Sequence, residues 1–196
     1  MTSRRASRLS YEESCRLLQR LGYPDVGADG VIPPMPDHRP QCDDEAPLGV
    51  SFFRTWVGVG RPVGLQPSPS LPWEDVPEHA LDNLTLPRTF FGRSEISSIS
   101  FKNTDLSEST LCWNDVIEVN FTDADLSESD LRAAIFRRIA FVRTNLRNAD
   151  LRRSTFEDCD FTAADMAGAK LTRKQGEGVH LSDEQRKVID WQDSDG

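Results

Sequence analysis

Proline disappears from this chain partway along. All 12 prolines fall between Pro24 and Pro87, and the 109 residues from Arg88 onward contain none. A stretch of that length without proline can keep an unbroken hydrogen-bonded backbone, so the chain changes character near residue 88. Histidine is scarce, with His38, His79 and His180 the only three. No GxSxG, P-loop, HExxH or GxGxxG pattern is present. Asp123 and Asp125 form a carboxylate pair, but they occupy regular outward slots with no histidine at a suggestive spacing. The sequence reads as a non-enzyme, with no catalytic residue, metal or cofactor assigned.

Cysteine is sparse as well. Cys15, Cys42, Cys112 and Cys159 lie far apart, with neither CxxC nor Cys/His ligand spacing, which argues against a zinc site and against a small secreted disulfide framework. Reduced thiols are expected. No apolar run approaches the roughly 18 residues of a membrane span, and the basic start MTSRRASRLS is not followed by the apolar segment of a secretory signal. These absences predict a cytoplasmic protein that does not contact membrane. The net charge of −9 disfavours direct nucleic-acid binding, which needs clustered Lys and Arg to displace counterions. A protein partner is expected instead.

Before residue 88 the signals are local. Ser10 opens SYEESCRLLQRLGY with a Ser-x-x-Glu capping box to Glu13, and Leu17, Leu18 and Leu21 form a short apolar stripe, so a helix is predicted over about 11–21. From Pro24 to Pro47 the chain reads as an extended connector rich in Pro, Asp and Gly. SFFRTWVGV, residues 51–59, reads as a strand that packs Phe52, Phe53 and Trp56 on the main body. A Pro-rich loop follows over 61–80.

From Phe91 a large apolar residue recurs at every fifth position: Phe91, Ile96, Phe101, Leu106, Leu111, Val116, Phe121 and onward without a break to Met166 and Leu171. Neither a helix (period 3.6) nor a half-buried strand (period 2) has this spacing. Two residues before each large one the side chains are mostly small, as at Thr104, Ser109, Ala124, Ser129, Ala134, Thr144, Ala149, Ser154, Ala164 and Ala169. Such an internal repeat is the feature to weigh before any fold class is assigned.

Units such as Ala124-Asp125-Leu126, Ala149-Asp150-Leu151, Ala164-Asp165-Met166 and Thr144-Asn145-Leu146 resemble the A(D/N)LXX consensus of pentapeptide-repeat proteins over about residues 89–173. The resemblance implies an all-β solenoid, a right-handed quadrilateral β-helix of about four coils in which four pentapeptides make one square coil of 20 residues. A secondary period of 20 follows, and it is there: Phe101, Phe121, Phe141 and Phe161 recur together with Ile99, Val119, Ile139 and Cys159. Domains are predicted as an N-terminal extension (1–88) that packs on or caps the solenoid, the β-helix (89–173) and a C-terminal cap and tail (174–196). In the last of these, HLSDEQRKVIDW offers a Ser182-x-x-Gln185 capping box and then Val188, Ile189 and Trp191, which predicts a short helix over the final coil.

Outward residues 20 apart become neighbours about 4.8 Å away in such a stack. The coil 114–133 is acidic, with Asp115, Glu118, Asp123, Asp125, Glu128 and Asp130. The coil 134–153 carries Arg137, Arg138, Arg143, Arg147, Arg152 and Arg153. The alignment predicts Glu118 over Arg138 over Asp158, Asp123 over Arg143, and Arg137 over Glu157, either as ion pairs between coils or as a basic recognition belt. Cys112, Trp113, Ile117, Ile135 and Val142 are outward positions that are not polar. Trp113 and Ile117 near one corner are either covered by the N-terminal segment or form a partner hot spot.

The residues assigned to partner binding are therefore Trp113, Ile117, Ile135, Arg137, Arg138, Arg143, Arg147, Arg152 and Arg153. The expectation is a monomeric, non-catalytic module that captures or shields one partner protein, a toxin or other effector, in the manner of an immunity protein. The family resemblance implies an alternative, protection of DNA gyrase or another topoisomerase by DNA mimicry as in quinolone resistance. A short stack with a basic belt departs from a long, uniformly acidic mimic.

Overall fold

The computed structural model describes residues 6–23, 30–43, 49–58 and 77–193. Its spine is a stack of parallel rungs. Strands β1 (Trp56–Gly58), β2 (Glu95–Ser97), β3 (Asp115–Ile117), β4 (Ile135–Arg137) and β5 (Thr155–Glu157) form one five-stranded sheet in that order. From β2 to β5 each residue pairs with the one 20 further on, as Ile96 with Val116 and Val116 with Phe136. The same offset governs the other faces, with Thr85 on Asp105, Thr110 on Asp130 and Asn120 on Ala140. The protein is a right-handed quadrilateral β-helix.

A five-residue period works because each unit turns one corner. The second residue after each large one has a left-handed backbone, from Asn83 (φ 61°) through Asn103 (56°) and Asp123 (61°) to Ala163 (56°), and none of these is glycine. Such a conformation costs roughly 1–2 kcal/mol per residue, and backbone hydrogen bonds between coils offset it. The Asn103 amide donates to Thr122 O at 2.9 Å and the Arg143 amide to Thr162 O at 2.9 Å. Inside, Phe101, Phe121, Phe141 and Phe161 stack with centroids 5.5, 5.6 and 4.9 Å apart.

Half of the small inward residues named above carry a hydroxyl, for a reason that the spacing alone does not reveal. Thr104 Oγ1 donates to Leu81 O at 2.6 Å and accepts from Leu84 N at 3.3 Å. Ser129 Oγ does the same for Leu106 O (3.0 Å) and Ser109 N (3.2 Å), and the Asn114 amide serves Phe91 O (2.6 Å) and Ser94 N (2.7 Å). These side chains satisfy corner backbone groups that are buried and out of reach of water.

The coil pattern reaches back beyond Phe91, to Leu81 and Leu86, both buried. Below that first coil the N-terminal residues close the stack. Phe52 stacks on Phe91 at 4.7 Å, and Val57 pairs with Ile96 in β1. The strand is shorter than the 51–59 reading, spanning Trp56–Gly58, and residue 59 lies outside the described residues. Helix α1 (Tyr11–Arg20) begins at the Ser10–Glu13 capping box and buries Ser14, Cys15 and Leu18. Ser14 Oγ accepts from Thr85 N at 2.9 Å, docking the helix on the coil.

Of the predicted connector, residues 30–43 are described and 24–29 and 44–48 are not; in the predicted 61–80 loop, 61–76 also lie outside the described residues. Segment 30–43 is a strap along the side of the solenoid. Arg88 donates to Pro36 O (2.7 Å), Arg39 to Glu128 O (2.6 Å) and Thr110 to Pro40 O. Cys42 is joined to Cys112 by a disulfide with Cα atoms 6.1 Å apart, which corrects the expectation that all four thiols are free. Seventy residues separate the two cysteines, and only the path of the strap brings them together. Cys15 and Cys159 are free.

At the other end, β6 (Lys170–Thr172) runs into α2 (Arg173–Glu177), then α3 (Asp183–Val188) and β7 (Asp190–Gln192), which pairs with β6. The Ser182–Gln185 capping box is formed, and a second box, Thr172–Gln175, opens α2.

Candidate functional site

Trp113 occupies a corner, at φ 59°, in a column with Arg93, Ala133 and Arg153, all left-handed. Its amide donates to Arg132 O at 3.1 Å, which fixes the corner while the indole projects outward. The side chain is 56% exposed, the most exposed tryptophan or phenylalanine among the described residues. One coil on, the same slot holds only the methyl of Ala133. A large residue above a small one leaves a notch of about 190 Å³, walled by Trp113, Arg132, Ala133, Arg153, Cys42 and Asp43. The disulfide pins the strap as one wall of this notch. Cys112, expected to face solvent, is buried beneath Cys42.

The guanidinium of Arg132 is held in place. It makes two bonds to the Asp130 carboxylate, at 2.8 and 2.6 Å, and its Nε lies 3.9 Å from Asp150. The Asp130 hydrogen bond raises the Arg132 pKa. One coil on, Arg152 grips Asp150 in the same two-point manner, at 2.9 and 2.7 Å. Burial by itself would raise the Asp150 carboxyl; the hydrogen bonds and charge of Arg152, with the charge of Arg132, outweigh it and hold Asp150 below the ordinary carboxylate value. Such two-point pairs fix geometry as well as charge.

The rest of the arginine belt is engaged between coils. Arg138 meets Glu118 at 2.8 Å, Arg143 meets Asp123 at 2.7 Å, Arg137 meets Glu157 at 3.1 Å and Arg147 meets Asp165 at 3.1 Å. Three of these are the alignments expected from the period of 20. Arg138 turns to Glu118 and makes no ion pair with Asp158 among the described residues. Ile117, Ile135 and Val142 are half-buried. Of the nine residues assigned from sequence, Trp113 and Arg153 come together at the notch, while Ile117, Ile135 and Arg137 lie on the sheet face of β3 and β4.

Ala133, Arg132, Asp43 and Cys42 were missed. The first could have been found, because stepping 20 residues from Trp113 reaches Ala133 and then Arg153. The strap residues carry no such signal. Cys42, Cys112 and the Asp130 carboxylate lie within 4.8 Å of one another, but with both sulfurs in the disulfide and the carboxylate on Arg132 they do not form a ligand set here. No helix among the described residues is long and apolar enough to cross a membrane.

Residues 94–138 and 140–173 match the model of the pentapeptide repeats, in eight copies. No curated protein matches the chain significantly. Among solved structures, it is similar to HetL, a pentapeptide repeat protein involved in heterocyst differentiation regulation from the cyanobacterium Nostoc sp. strain PCC 7120. That match has 17% identity over 67% of this chain and 51% of HetL, with a TM-score of 0.49. The chain thus spans about half the length of that protein. It is also similar to Rfr23 from the cyanobacterium Cyanothece 51142, at 21% identity over 59% of this chain and 82% of Rfr23, TM-score 0.45. A more distant likeness is to full-length QnrB1, a plasmid-mediated fluoroquinolone resistance protein, at 13% identity over 57% of this chain and 84% of that one, TM-score 0.20.

Proposed function

From the premise that residues 94–138 and 140–173 are pentapeptide repeats, we propose that this protein is a monomeric, non-catalytic binding module that captures or shields one partner protein through the Trp113 corner. The observation that carries the reading is the exposed indole beside its notch. A tryptophan at the edge of a small cavity, flanked by Arg153 and by an Arg132 already fixed by the Asp130 carboxylate, has the make-up of an interface hot spot. It binds at low entropic cost, because the corner backbone and the salt-bridged Arg132 guanidinium are ordered before the partner arrives. The partner fits as a segment with an acidic or amide side chain for Arg132 and Arg153 and an apolar surface for the indole.

The role that follows is neutralisation of a toxin or effector, in the manner of an immunity protein. Strap and solenoid together supply a rigid platform, and binding alone is enough to block a partner. The test is affinity capture with the tagged full chain and with Trp113→Ala. A stoichiometric partner held by the parent chain and lost by Trp113→Ala, at unchanged melting temperature, supports the reading. Equal capture by both chains removes the Trp113 corner from it.

A further inference from the structure

The five-stranded sheet stops at β5. In the coils before it, the amide following each strand donates to the next coil: Ser98 to Ile117 O (3.0 Å), Glu118 to Arg137 O (2.9 Å) and Arg138 to Glu157 O (2.8 Å). Asp158 is next in this series. Among the described residues its amide finds no coil to pair with, because the chain at that level has become α2. The neighbouring backbone is closed by side chains: Gln175 donates to Leu151 O and Ser154 O (2.8 and 2.7 Å), and Gln185 to Phe161 O and Ala164 O (2.8 and 3.0 Å). The centre of β5 is left open.

Phe156 registers the gap. The 16 other inward residues of the five-residue series, from Phe91 to Leu171, are at most 1% exposed, whereas Phe156 is half-buried. Beside it lies a cavity of about 320 Å³ between β5 and the chain from 172 to 179. Phe156, Gly178 and Val179 give it apolar walls, and Arg153 and Lys174 stand at its rim. Arg153 also walls the Trp113 notch, so the two hollows adjoin.

We propose that this edge receives an extended segment of a partner protein as a sixth strand, with a large apolar side chain in the cavity and an acidic residue against Arg153 and Lys174. An open sheet edge offers backbone hydrogen bonds to any extended chain. The cavity selects the side chain, and the basic rim selects its charge. The inference takes the protein nature of the occupant from the reading above, and its test needs no natural partner.

The probe is the capped peptide Asp-Ser-Thr-Phe-Ser-Ser-Ser, which in parallel register with residues 153–159 sets its aspartate over Arg153 and its phenylalanine over Phe156, with serine where an acid would face Glu157 or Asp158. It is titrated into the full-length protein, with backbone amide shifts as the readout. Expected are saturable shifts centred on Phe156 and Asp158, binding weakened roughly fivefold to tenfold by Lys174→Glu, and loss of binding when proline replaces the peptide's phenylalanine. Trp113→Ala leaves the peptide affinity unchanged, which separates this edge from the Trp113 corner. Absence of saturable shifts, or binding indifferent to both Lys174→Glu and the proline peptide, overturns the proposal.

Discussion

The side chain of Gln175 closes the backbone of Leu151, donating to its carbonyl at 2.8 Å while its own carbonyl oxygen accepts from the Thr172 amide at 2.9 Å. Ten residues later Gln185 repeats the arrangement on Phe161 and Ser182. Each glutamine does for the last coil what a hydroxyl at a small inward position does for the coils before it. Replacing either by alanine leaves buried carbonyls unpaired, and should cost about 1–3 kcal/mol each in chemical denaturation. Gln175→Glu should be at least as damaging, since a carboxylate cannot donate.

The Cys42–Cys112 bond closes a loop with a separation of 70 residues. Chain entropy assigns such a crosslink about 4 kcal/mol. Cys112→Ser should lower the melting temperature under oxidising conditions, and a dithiol reductant should lower that of the parent chain to the same level without affecting the variant. In a reducing compartment the strap keeps its hydrogen bonds, the packing of Ile32 and the attraction of Asp37 and Asp43 to Arg88 and Arg132, without the crosslink.

The belt arginines should contribute little to stability singly. Arg143 and Asp123 form an ion pair at 2.7 Å with the guanidinium about half exposed, a class worth about 0.2–1 kcal/mol. A double-mutant cycle with Arg143→Ala and Asp123→Ala should give a coupling in that range that shrinks with added salt. A coupling several times larger would make the belt a principal source of stability.

Acid should weaken the fold through Asp150. Its carboxyl is held below the ordinary 3.8 by Arg152 and Arg132 against burial, so its stabilisation is complete above that value and is lost as pH falls through the lower folded value. Asp160, held low by hydrogen bonds from Thr162, acts in the same sense. Glu95, raised by burial and by the charge of Asp115, acts oppositely, costing stability as pH rises. In Arg152→Ala, unfolding free energy at neutral pH should drop and its acid dependence should flatten.

A gyrase supercoiling assay bears on the DNA-mimic alternative. The acidic coil is capped by arginines at Asp123 and Glu118, so its surface does not present the continuous negative charge of a phosphate backbone. No effect on supercoiling is expected, with or without a quinolone. Inhibition at stoichiometric protein would reverse the order of the two readings.

The inward residues were readable because a residue's environment in this fold depends on its position within 5 and within 20. Phe101, Phe121, Phe141 and Phe161 fall into one stack by counting alone, and so does the pairing of Asp123 with Arg143. Ala133 beside Trp113 was readable on the same rule, although its meaning depends on the missing bulk rather than on a motif. The strap obeys no period. The 30–43 segment has no repeat to fix its register, so its contacts with Arg88, Thr110 and Glu128 could not be counted out.

The sequence by itself determined the β-helix, its 20-residue coil, the identity of each inward column and the charge of each outward one, because short-range geometry repeats and every coil is the template for the next. Tertiary structure alone decided that Cys42 reaches Cys112, that the strap walls the Trp113 notch, and that Phe156 is left at an open edge. Those outcomes depend on where the non-repeating ends of the chain come to rest, and that is set by packing and hydrogen bonds between residues far apart in the sequence.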